Sequence, residues 1–386
     1  MPFIGNQPTA IPLTSSDLTD GIVTNPKLST GSQQNFRNII INGDMNIAQR
    51  ATSATGLTNG STGYHTVDRF QFAESGSPSA AFTQTQSSDV PTGQGFATSL
   101  KMDCTTAQGS LAAGDLIRIR TTFEGQNLQY LKKGTSSAES LTMSFWVKSS
   151  KTGTYICQLL DKDNSRSISK SYTISSADTW EKKTITYDGD TTGAFTDDNG
   201  SSLQCIWWLG AGSGSSSGTL QTSWDATTTA DTAVGQVNFA DSTSNDWYIT
   251  GVQLEAGTTA SDFEFLPVDV NYNRCARYYY RQNGESGFGS GSAYVQDGTV
   301  KSYMYHSAPV PMRTQVSMSL SNTSGGVIQL DGGGSDNITN IQESNSGVPY
   351  KDYTLLIITN GSSITDKCGV SIRINSSQYI EASAEL

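Results

Sequence analysis

The sequence predicts an all-β protein in three parts: an extended N-terminal segment, a β-sandwich and a smaller C-terminal β domain. Three observations predict this class. Apolar and polar residues alternate in many short stretches, as they do in strands with one buried face. Gly, Asn, Asp and Ser separate these stretches, which is typical of tight turns. No stretch shows the periodicity of a long amphipathic helix.

The composition fits this class and argues against two others. Only 35% of the 386 residues are hydrophobic and 15% are charged, whereas 38 are glycines. The net charge of -11 argues against a nucleic-acid partner, because a phosphate backbone needs clustered Lys and Arg. The chain has no apolar run of about 18 residues, so insertion into a membrane is not predicted either.

Residues 1–37 are predicted to be extended, because four prolines interrupt any regular element. Apolar residues nevertheless recur every few positions: Ile11, Leu13, Leu18, Ile22, Val23 and Leu28. A segment of this kind cannot bury these side chains by itself. We therefore predict that it packs against two other copies in a homotrimer, or against another protein. The alternative is a disordered tail.

Residues 38–266 are predicted to form the β-sandwich, with residues 38–50 as its opening strand and residues 245–257 as its closing strand. Alternation is clear at 141–148, and again where Tyr248, Thr250, Val252 and Leu254 share one parity. Residues 203–209 are more uniformly apolar, as in a central strand buried on both faces. Residues 210–218 have no large side chain to anchor them and are predicted to be exposed and mobile.

Residues 267–386 are predicted to form a second β-rich domain, which begins at Pro267. Alternation predicts strands at residues 300–305, 315–320, 354–359 and 370–375. The last residues, 379–386, also have the composition of a strand. We predict that they pack within the tip formed by this domain.

Catalytic chemistry is not predicted. The two histidines are His65 and His306, and no nucleophile accompanies His65 and Asp68 in the manner of a Ser-His-Asp triad. Asp68 and Arg69 are instead predicted to form a structural ion pair. The five cysteines lack metal-ligand spacing and are predicted to be reduced and mostly buried. We therefore predict no enzyme activity and no required cofactor.

Four aspartates among turn-forming residues are the candidates for a metal site: Asp161, Asp163, Asp188 and Asp190. Asp161 and Asp163 have the alternate spacing of a calcium loop, but the glycine and the distal glutamate of an EF-hand are missing. Solvated turns and a structural calcium site therefore remain as alternatives. A carboxylate pair for glycoside cleavage is a further alternative, for which the candidates are Asp188, Asp190, Asp197 and Asp198.

Aromatic residues are the candidates for glycan binding, because the C–H faces of sugars stack on aromatic rings. Trp146 alternates with Phe145, so it is predicted to lie on the outer face of the sandwich. Tyr294, Tyr303, Tyr305 and His306 are predicted to form an aromatic surface in the C-terminal domain. The alternative is that these side chains belong to the core or to contacts between chains.

Several segments together resemble tail fibres and related virion proteins of marine, cyanophage-like tailed bacteriophages. They are residues 40–50 (Ile-Ile-Asn-Gly-Asp-Met-Asn-Ile-Ala-Gln-Arg), 64–69, 145–149 with 153–155, 180, 207–213, 239–257, 274–280 and 309–314. The resemblance implies a jelly roll similar to carbohydrate-binding modules, a trimer, an N-terminal attachment segment and a distal tip. It also implies a place on the exterior of the virion after assembly in the host cytoplasm.

The function expected from this resemblance is attachment to a glycan of the host surface, with residues 1–37 anchoring the fibre to another virion protein. Two alternatives remain. The first is a capsid or tail decoration without a receptor role. The second is a polysaccharide depolymerase, although such enzymes usually contain repeated β-helix rungs and the sequence has no such period.

Overall fold

The computed structural model describes residues 36–283, 289–295, 299–314, 317–320, 327–330, 335–343, 353–364, 369–373 and 379–386. Side chains are described for residues 36–283, 308–314 and 379–386. The chain divides into two compact units, Met1–Arg37 and Asn38–Leu386. The six apolar residues of the predicted anchor, from Ile11 to Leu28, lie outside the described residues. The predicted all-β class is confirmed, because strands dominate the described chain.

The first sheet of the sandwich has six antiparallel strands. They are β1 (Ser53–Leu57), β3 (Ala81–Ser87), β4 (Ser99–Thr106), β6 (Leu141–Ser149), β9 (Glu181–Tyr187) and β12 (Asp246–Ala256). Their order across the sheet is β1-β3-β4-β12-β6-β9. The predicted closing strand is therefore β12, and it lies in the middle of the sheet because β4 and β6 pair with its two sides.

The second sheet also has six antiparallel strands. They are β2 (Gln71–Ser75), β5 (Leu116–Glu124), β7 (Gly153–Asp161), β8 (Arg166–Ile174), β10 (Ser201–Ala211) and β11 (Asp225–Ala226). Their order is β11-β8-β7-β10-β5-β2. Strand β10 pairs with β5 and β7 and is buried from residue 202 to residue 210. The prediction of a central strand buried on both faces is confirmed.

The core lies between the two sheets and consists of the alternating apolar residues. Leu141, Met143, Phe145 and Val147 of β6 are all buried, as the alternation predicted. Phe145 meets Tyr172 and Trp207 of the opposite sheet edge-on, with ring centroids 5.1 and 6.1 Å apart. The described cysteines Cys104, Cys157, Cys205 and Cys275 are free and buried, as predicted.

The predicted opening strand, residues 38–50, is not a strand. Asn42 and Met45 have φ of 61° and 60°, which interrupts an extended backbone. Hydrogen bonds hold the segment against β12 instead: Ile39 N donates to Leu254 O and Val252 N to Gly43 O, both at 2.9 Å. A Cβ at Gly43 would overlap the Val252 carbonyl, so only glycine allows this close approach.

The prediction for residues 210–218 is wrong in part. Ser213, Gly214, Ser217 and Gly218 are exposed, as predicted, but the segment is anchored to the sandwich. A one-turn helix, α1 (Ser213–Ser216), forms there, and Ser215 is buried. Gly212 N donates to Asp115 O, and Ser215 O accepts from Ala233 N. The segment and its continuation cover an apolar cluster on the outer face of the second sheet: Ile156, Ile206, Trp208 and Ala233. Backbone hydrogen bonds thus replace the side-chain anchors that the sequence lacks.

The C-terminal region begins with helix α2 (Val268–Ala276) and contains a small sheet and a closed barrel. The small sheet has the order β13-β21-β16: β13 (Tyr279–Asn283), β21 (Tyr379–Ser383) and β16 (Ser317–Leu320). The barrel consists of β14 (Gly289–Val295), β15 (Thr299–Ser307), β17 (Val327–Leu330), β18 (Ser335–Glu343), β19 (Tyr353–Ile364) and β20 (Gly369–Arg373). Its strand order is β14-β15-β19-β18-β17-β20. No described helix is long and apolar enough to cross a membrane.

The end of the chain packs against both the C-terminal small sheet and the sandwich. As predicted, β21 pairs within the C-terminal domain, with β13 and β16. The residues after β21 contact the sandwich instead. Tyr64 Oη donates to Leu386 O at 3.3 Å, and Arg69 forms an ion pair with Glu385. Arg69 also lies over the Tyr278 ring, 3.5 Å from its centroid. The predicted Asp68–Arg69 pair is wrong, because adjacent side chains in this turn point to different partners. Asp68 accepts from Gln49 Nε2 at 2.6 Å.

Candidate functional site on the outer face of the first sheet

The outer face of the first sheet carries a row of aromatic and charged residues. Phe145 and Val147 of β6 face the core with no exposure, so Trp146 and Lys148 face outward. The register places Tyr248 of β12 between Lys148 on one side and Lys101 of β4 on the other. Cross-strand neighbours of this kind lie close enough to interact. The row is therefore Lys101, Tyr248, Lys148.

Trp180 extends this row just before β9 begins. Its ring lies edge-on to the Tyr248 ring, with centroids 6.1 Å apart. The Trp180 Nε1–H donates to Asp89 Oδ1 at 3.0 Å, which fixes the indole in place. Lys148 forms an ion pair with the other oxygen of Asp89. The Lys148 ammonium also lies 4.3 Å from the Tyr248 centroid.

The charges on this face are paired. Burial would raise the pKa of Asp89, but hydrogen bonds from Lys148 and Trp180 outweigh it and hold the pKa below its usual value. Lys101 Nζ pairs with Asp246 Oδ1 at 3.0 Å, and this contact raises the pKa of Lys101 despite its partial burial. The face therefore has fixed, ionised groups that can donate and accept hydrogen bonds at neutral pH.

Trp146 lies in the next row of the same face, opposite Thr250 of β12 and Lys182 of β9. Its side chain is half-buried, as the sequence predicted for an outer position. Lys182 is exposed. We call Trp146, Trp180 and Tyr248, together with Lys148 and Asp89, the aromatic face.

The sequence pattern missed Tyr248 because a bulge interrupts β12. The alternation predicted that Tyr248, Thr250, Val252 and Leu254 share one face. The pairing of β12 with β6 shifts register between Thr250 and Gln253, around Gly251 at φ 61°. Val252 and Leu254 therefore point into the core, whereas Tyr248 and Thr250 lie on the opposite face of the sheet, where Tyr248 is 9% exposed and Thr250 is buried. A glycine inside a strand pattern was the available signal.

The predicted aromatic surface of the C-terminal domain lies on β14 and β15. The register places Tyr294 opposite Tyr303. In a pleated strand, positions 303 and 305 share one face, whereas His306 falls on the other. The side chains of these four residues lie outside those that the structure describes, so their role in glycan binding stays a prediction.

Two of the predicted calcium-binding aspartates contact a buried lysine. Lys133 Nζ lies 2.5 Å from Asp161 Oδ2 and 3.0 Å from Asp190 Oδ2. Arg166 makes a bidentate contact with Asp190 at 2.8 and 3.0 Å. Burial would raise the pKa of Asp190, but the hydrogen bonds from Arg166 and Lys133 lower it. The ammonium group thus lies where a cation would be expected.

The remaining candidates do not share the contact with Lys133, although Asp163 N donates to Asp161 Oδ1 at 2.9 Å. Asp163 Oδ2 accepts from Thr196 N at 2.9 Å, and Asp188 is exposed. His65 Nε2 contacts Ser61 O at 2.6 Å. Among the described residues, no group of three or more His, Cys, Asp or Glu side chains could hold a metal ion.

Comparison with known proteins gives structural neighbours only. No family model matches the chain, and no curated protein matches it. The enzymatically active domain of tailspike protein 4 of bacteriophage CBA120 aligns with 57% of this chain at 14% identity and a TM-score of 0.30. The aligned part is 21% of that tailspike chain, so this protein spans about a fifth of it.

Carbohydrate-binding modules are also among the neighbours. The family 11 module of the cellulase Lic26A-Cel5E of Clostridium thermocellum aligns with 52% of this chain and 94% of its own, at 10% identity and a TM-score of 0.26. The module TmCBM61, solved with β-1,4-galactotriose, aligns with 57% of this chain and 99% of its own, at 6% identity and a TM-score of 0.23. At these values we base no functional argument on the likeness.

Proposed function

We propose that this protein binds a glycan through the aromatic face of its sandwich. The observation that carries the proposal is the grouping of the half-buried Trp146 and Trp180 on one side of the sheet, with the edge of Tyr248 between charged neighbours. Sugar rings stack on such aromatic groups, and the paired Lys148 and Asp89 can hydrogen-bond to hydroxyl groups beside them. The tyrosines predicted in the C-terminal domain would supply a second glycan surface.

We further propose that the protein is a fibre-like component of the virion exterior that attaches the particle to a host-surface glycan. The resemblance of segments such as residues 40–50 to phage fibre proteins supports this. Residues 1–37 would join the fibre to another virion protein and hold three copies together. Three weak sites on one trimer would then act by avidity. A decoration protein without a receptor role is the alternative.

Binding without cleavage is part of the proposal. It is supported by Asp190, one of the candidates for cleavage, whose carboxylate is occupied by Lys133 and Arg166 rather than left open toward a substrate. A carboxylate pair for glycoside cleavage needs one protonated acid and one free carboxylate. Release of reducing ends from host polysaccharide would establish the depolymerase alternative.

The experiment is a glycan-binding assay with purified host-surface polysaccharide. Trp146→Ala and Trp180→Ala should each weaken binding about tenfold, which corresponds to about 1.4 kcal/mol of stacking free energy. Tyr130→Ala is the matched control, because Tyr130 is an aromatic residue that is 51% exposed and lies outside the aromatic face. Unchanged binding in both tryptophan variants, with melting temperatures like that of the wild type, would contradict the proposal.

A further inference from the structure

Two arginines lie side by side on the outer face of the second sheet. Ile117 and Ile119 of β5 face the core with no exposure, so Arg118 and Arg120 face outward and are half-buried. The register places Trp208 of β10 opposite Arg118 and Ile206 opposite Arg120. We call Arg118 and Arg120 the arginine pair.

The floor beside the arginine pair is apolar and rigid. The Arg118 guanidinium lies over the Trp208 ring, 5.1 Å from its centroid. The Trp208 Nε1–H donates to Gln158 Oε1 at 3.1 Å, so the indole is held in one orientation. Trp208 and Ile206 are 2% and 1% exposed and belong to an apolar cluster with Ile156 and Ala233. The two guanidinium groups therefore stand on a fixed surface.

Neither member of the pair has an ion-pair partner in the part of the chain whose side chains are described. Four other arginines do: Arg50 and Arg69 pair with Glu385, Arg166 with Asp190, and Arg277 with Glu124. Arg120 Nε donates to Gln71 Oε1, which is neutral. Arg118 Nε is buried and has no hydrogen-bond partner among the described side chains and backbone. Two cations thus lie unneutralised by described residues in a protein with a net charge of -11.

This arrangement costs free energy in the unliganded protein. Burial and the charge of Arg120 together lower the pKa of Arg118 to about 10, although Glu74 opposes them. A bound anion would relieve the repulsion between the two charges. Guanidinium groups suit planar or tetrahedral oxyanions because they can donate two parallel hydrogen bonds.

We propose that the arginine pair binds the acidic groups of an anionic polysaccharide, either uronate carboxylates or sulfate esters. This site is distinct from the aromatic face, and it rests on the proposed function only in taking a polysaccharide as its ligand. Arg118 and Arg120 would each hold one oxyanion, while Gln71 and the apolar floor of Trp208 and Ile206 would exclude water from one side.

The test uses the full chain with three probes: polygalacturonate for carboxylates, dextran sulfate for sulfate esters, and neutral dextran. The wild type should bind at least one of the two anionic probes more tightly than neutral dextran, and that probe identifies the oxyanion. Arg118→Gln and Arg120→Gln should each weaken this binding about tenfold. Arg118→Lys keeps the charge but loses the two parallel donors, so its affinity for the probe should lie between those of the wild type and Arg118→Gln.

Lys162→Gln is the matched control, because it removes one exposed positive charge elsewhere on the molecule. An equal loss in this control, or unchanged binding in both glutamine variants, would overturn the proposal. Tighter binding of a single-stranded oligonucleotide than of either polysaccharide would also overturn it. If Arg118→Gln lowers the melting temperature, its loss of binding could come from misfolding, and the binding of Arg120→Gln then decides whether the proposal holds. Trp146→Ala should leave anion binding intact. This variant therefore tests the arginine pair separately from the proposal that the aromatic face binds a glycan.

Discussion

Asp68 shows how a single buried charge is held in this protein. The residue is 1% exposed, and its carboxylate accepts from Gln49 N at 3.1 Å and from Gln49 Nε2 at 2.6 Å. Arg50 Nη1 is 3.8 Å away. Burial nevertheless raises the pKa of Asp68 from 3.8 to about 6, because the hydrogen bonds and Arg50 only partly offset the loss of water.

The raised pKa predicts a pH dependence with a defined sign. Between pH 3.8 and about 6 the folded protein holds a proton on Asp68 that the unfolded chain has lost. The contribution of Asp68 to stability therefore decreases as pH rises through this window, by about 3 kcal/mol. Urea denaturation of the wild type and Asp68→Asn, which does not titrate, should show the wild type losing stability relative to the variant. A pH-independent difference would contradict this.

Lys133 is the second residue for which burial decides the effect of a substitution. Besides Asp161 and Asp190, its ammonium group donates to Thr192 O and Gly193 O at 3.0 and 2.6 Å. Lys133→Met should lower the free energy of unfolding by about 3–5 kcal/mol, because it leaves buried carboxylates without a counter-charge. The neighbouring Lys132 is 54% exposed and pairs with Glu139, so Lys132→Met should change stability by less than about 1 kcal/mol.

Urea denaturation measures both lysine variants, and similar losses would show that the cluster around Lys133 is not as enclosed as described. The wild-type protein from these experiments can also be tested for calcium binding. Because the Lys133 ammonium lies between the two aspartates, we expect calcium and EDTA to leave the melting temperature of the wild type unchanged. A rise with calcium would instead show a metal site.

At the scale of elements, the bulge in β12 determines which side chains form the aromatic face. Gly251 has φ of 61°, and a Cβ there would lie 2.5 Å from Phe96 Cζ. Gly56 has a similar φ of 68° in β1, and a Cβ there would have nothing within 4 Å. The two glycines therefore share a backbone conformation and differ in the space around them.

This difference predicts the outcome of two alanine substitutions. Gly56→Ala should lower the free energy of unfolding by about 1 kcal/mol, because alanine is unfavourable only through the left-handed backbone conformation. Gly251→Ala should lower the free energy of unfolding by more, about 2–4 kcal/mol, since the Phe96 side chain must also move. Gly251→Ala should weaken glycan binding as well, because the bulge holds Tyr248 outward. Chemical denaturation measures the loss of stability, and the polysaccharide assay measures the loss of glycan binding. Equal losses of stability in the two variants would contradict the predicted clash with Phe96.

Elements with strict alternation were predictable, and those that depend on backbone detail were not. The alternation at 141–148 and the apolar run at 203–209 predicted β6 and β10, because burial on one or both faces leaves a direct pattern in sequence. The outer position of Trp146 followed from the same rule. The positions of Tyr248 and Trp180 did not follow from alternation. A one-residue bulge in β12 determines the face on which Tyr248 lies, and Trp180 lies in a loop just before β9. Residues 38–50 looked like a strand because their positive φ values leave no pattern in composition.

For the molecule as a whole, the open question is assembly. The spacing of the apolar residues between Ile11 and Leu28 predicts a homotrimer held by residues 1–37. Sedimentation equilibrium of the full chain should give three times the chain mass of 41.2 kDa. A variant without residues 1–37 should remain folded but sediment as a monomer and should no longer join virions. A monomeric full chain, or normal incorporation of the shortened one, would contradict the prediction.

The attachment of the barrel to the rest of the chain has an evolutionary consequence. Its strands lie between β13 and β21 in the chain, and Asn283 and Tyr379 at these two points are direct partners across the small sheet. Strand β16 also lies between these points, but it pairs with β21 outside the barrel. Antiparallel partners have Cα atoms only about 5 Å apart. A replacement inserted between these points must have ends about this close. It must also supply equivalents of β16, which pairs with β21, and of Arg313, which donates to Asn199 O. Recombination at this junction would therefore exchange the barrel and β16 together as one cassette.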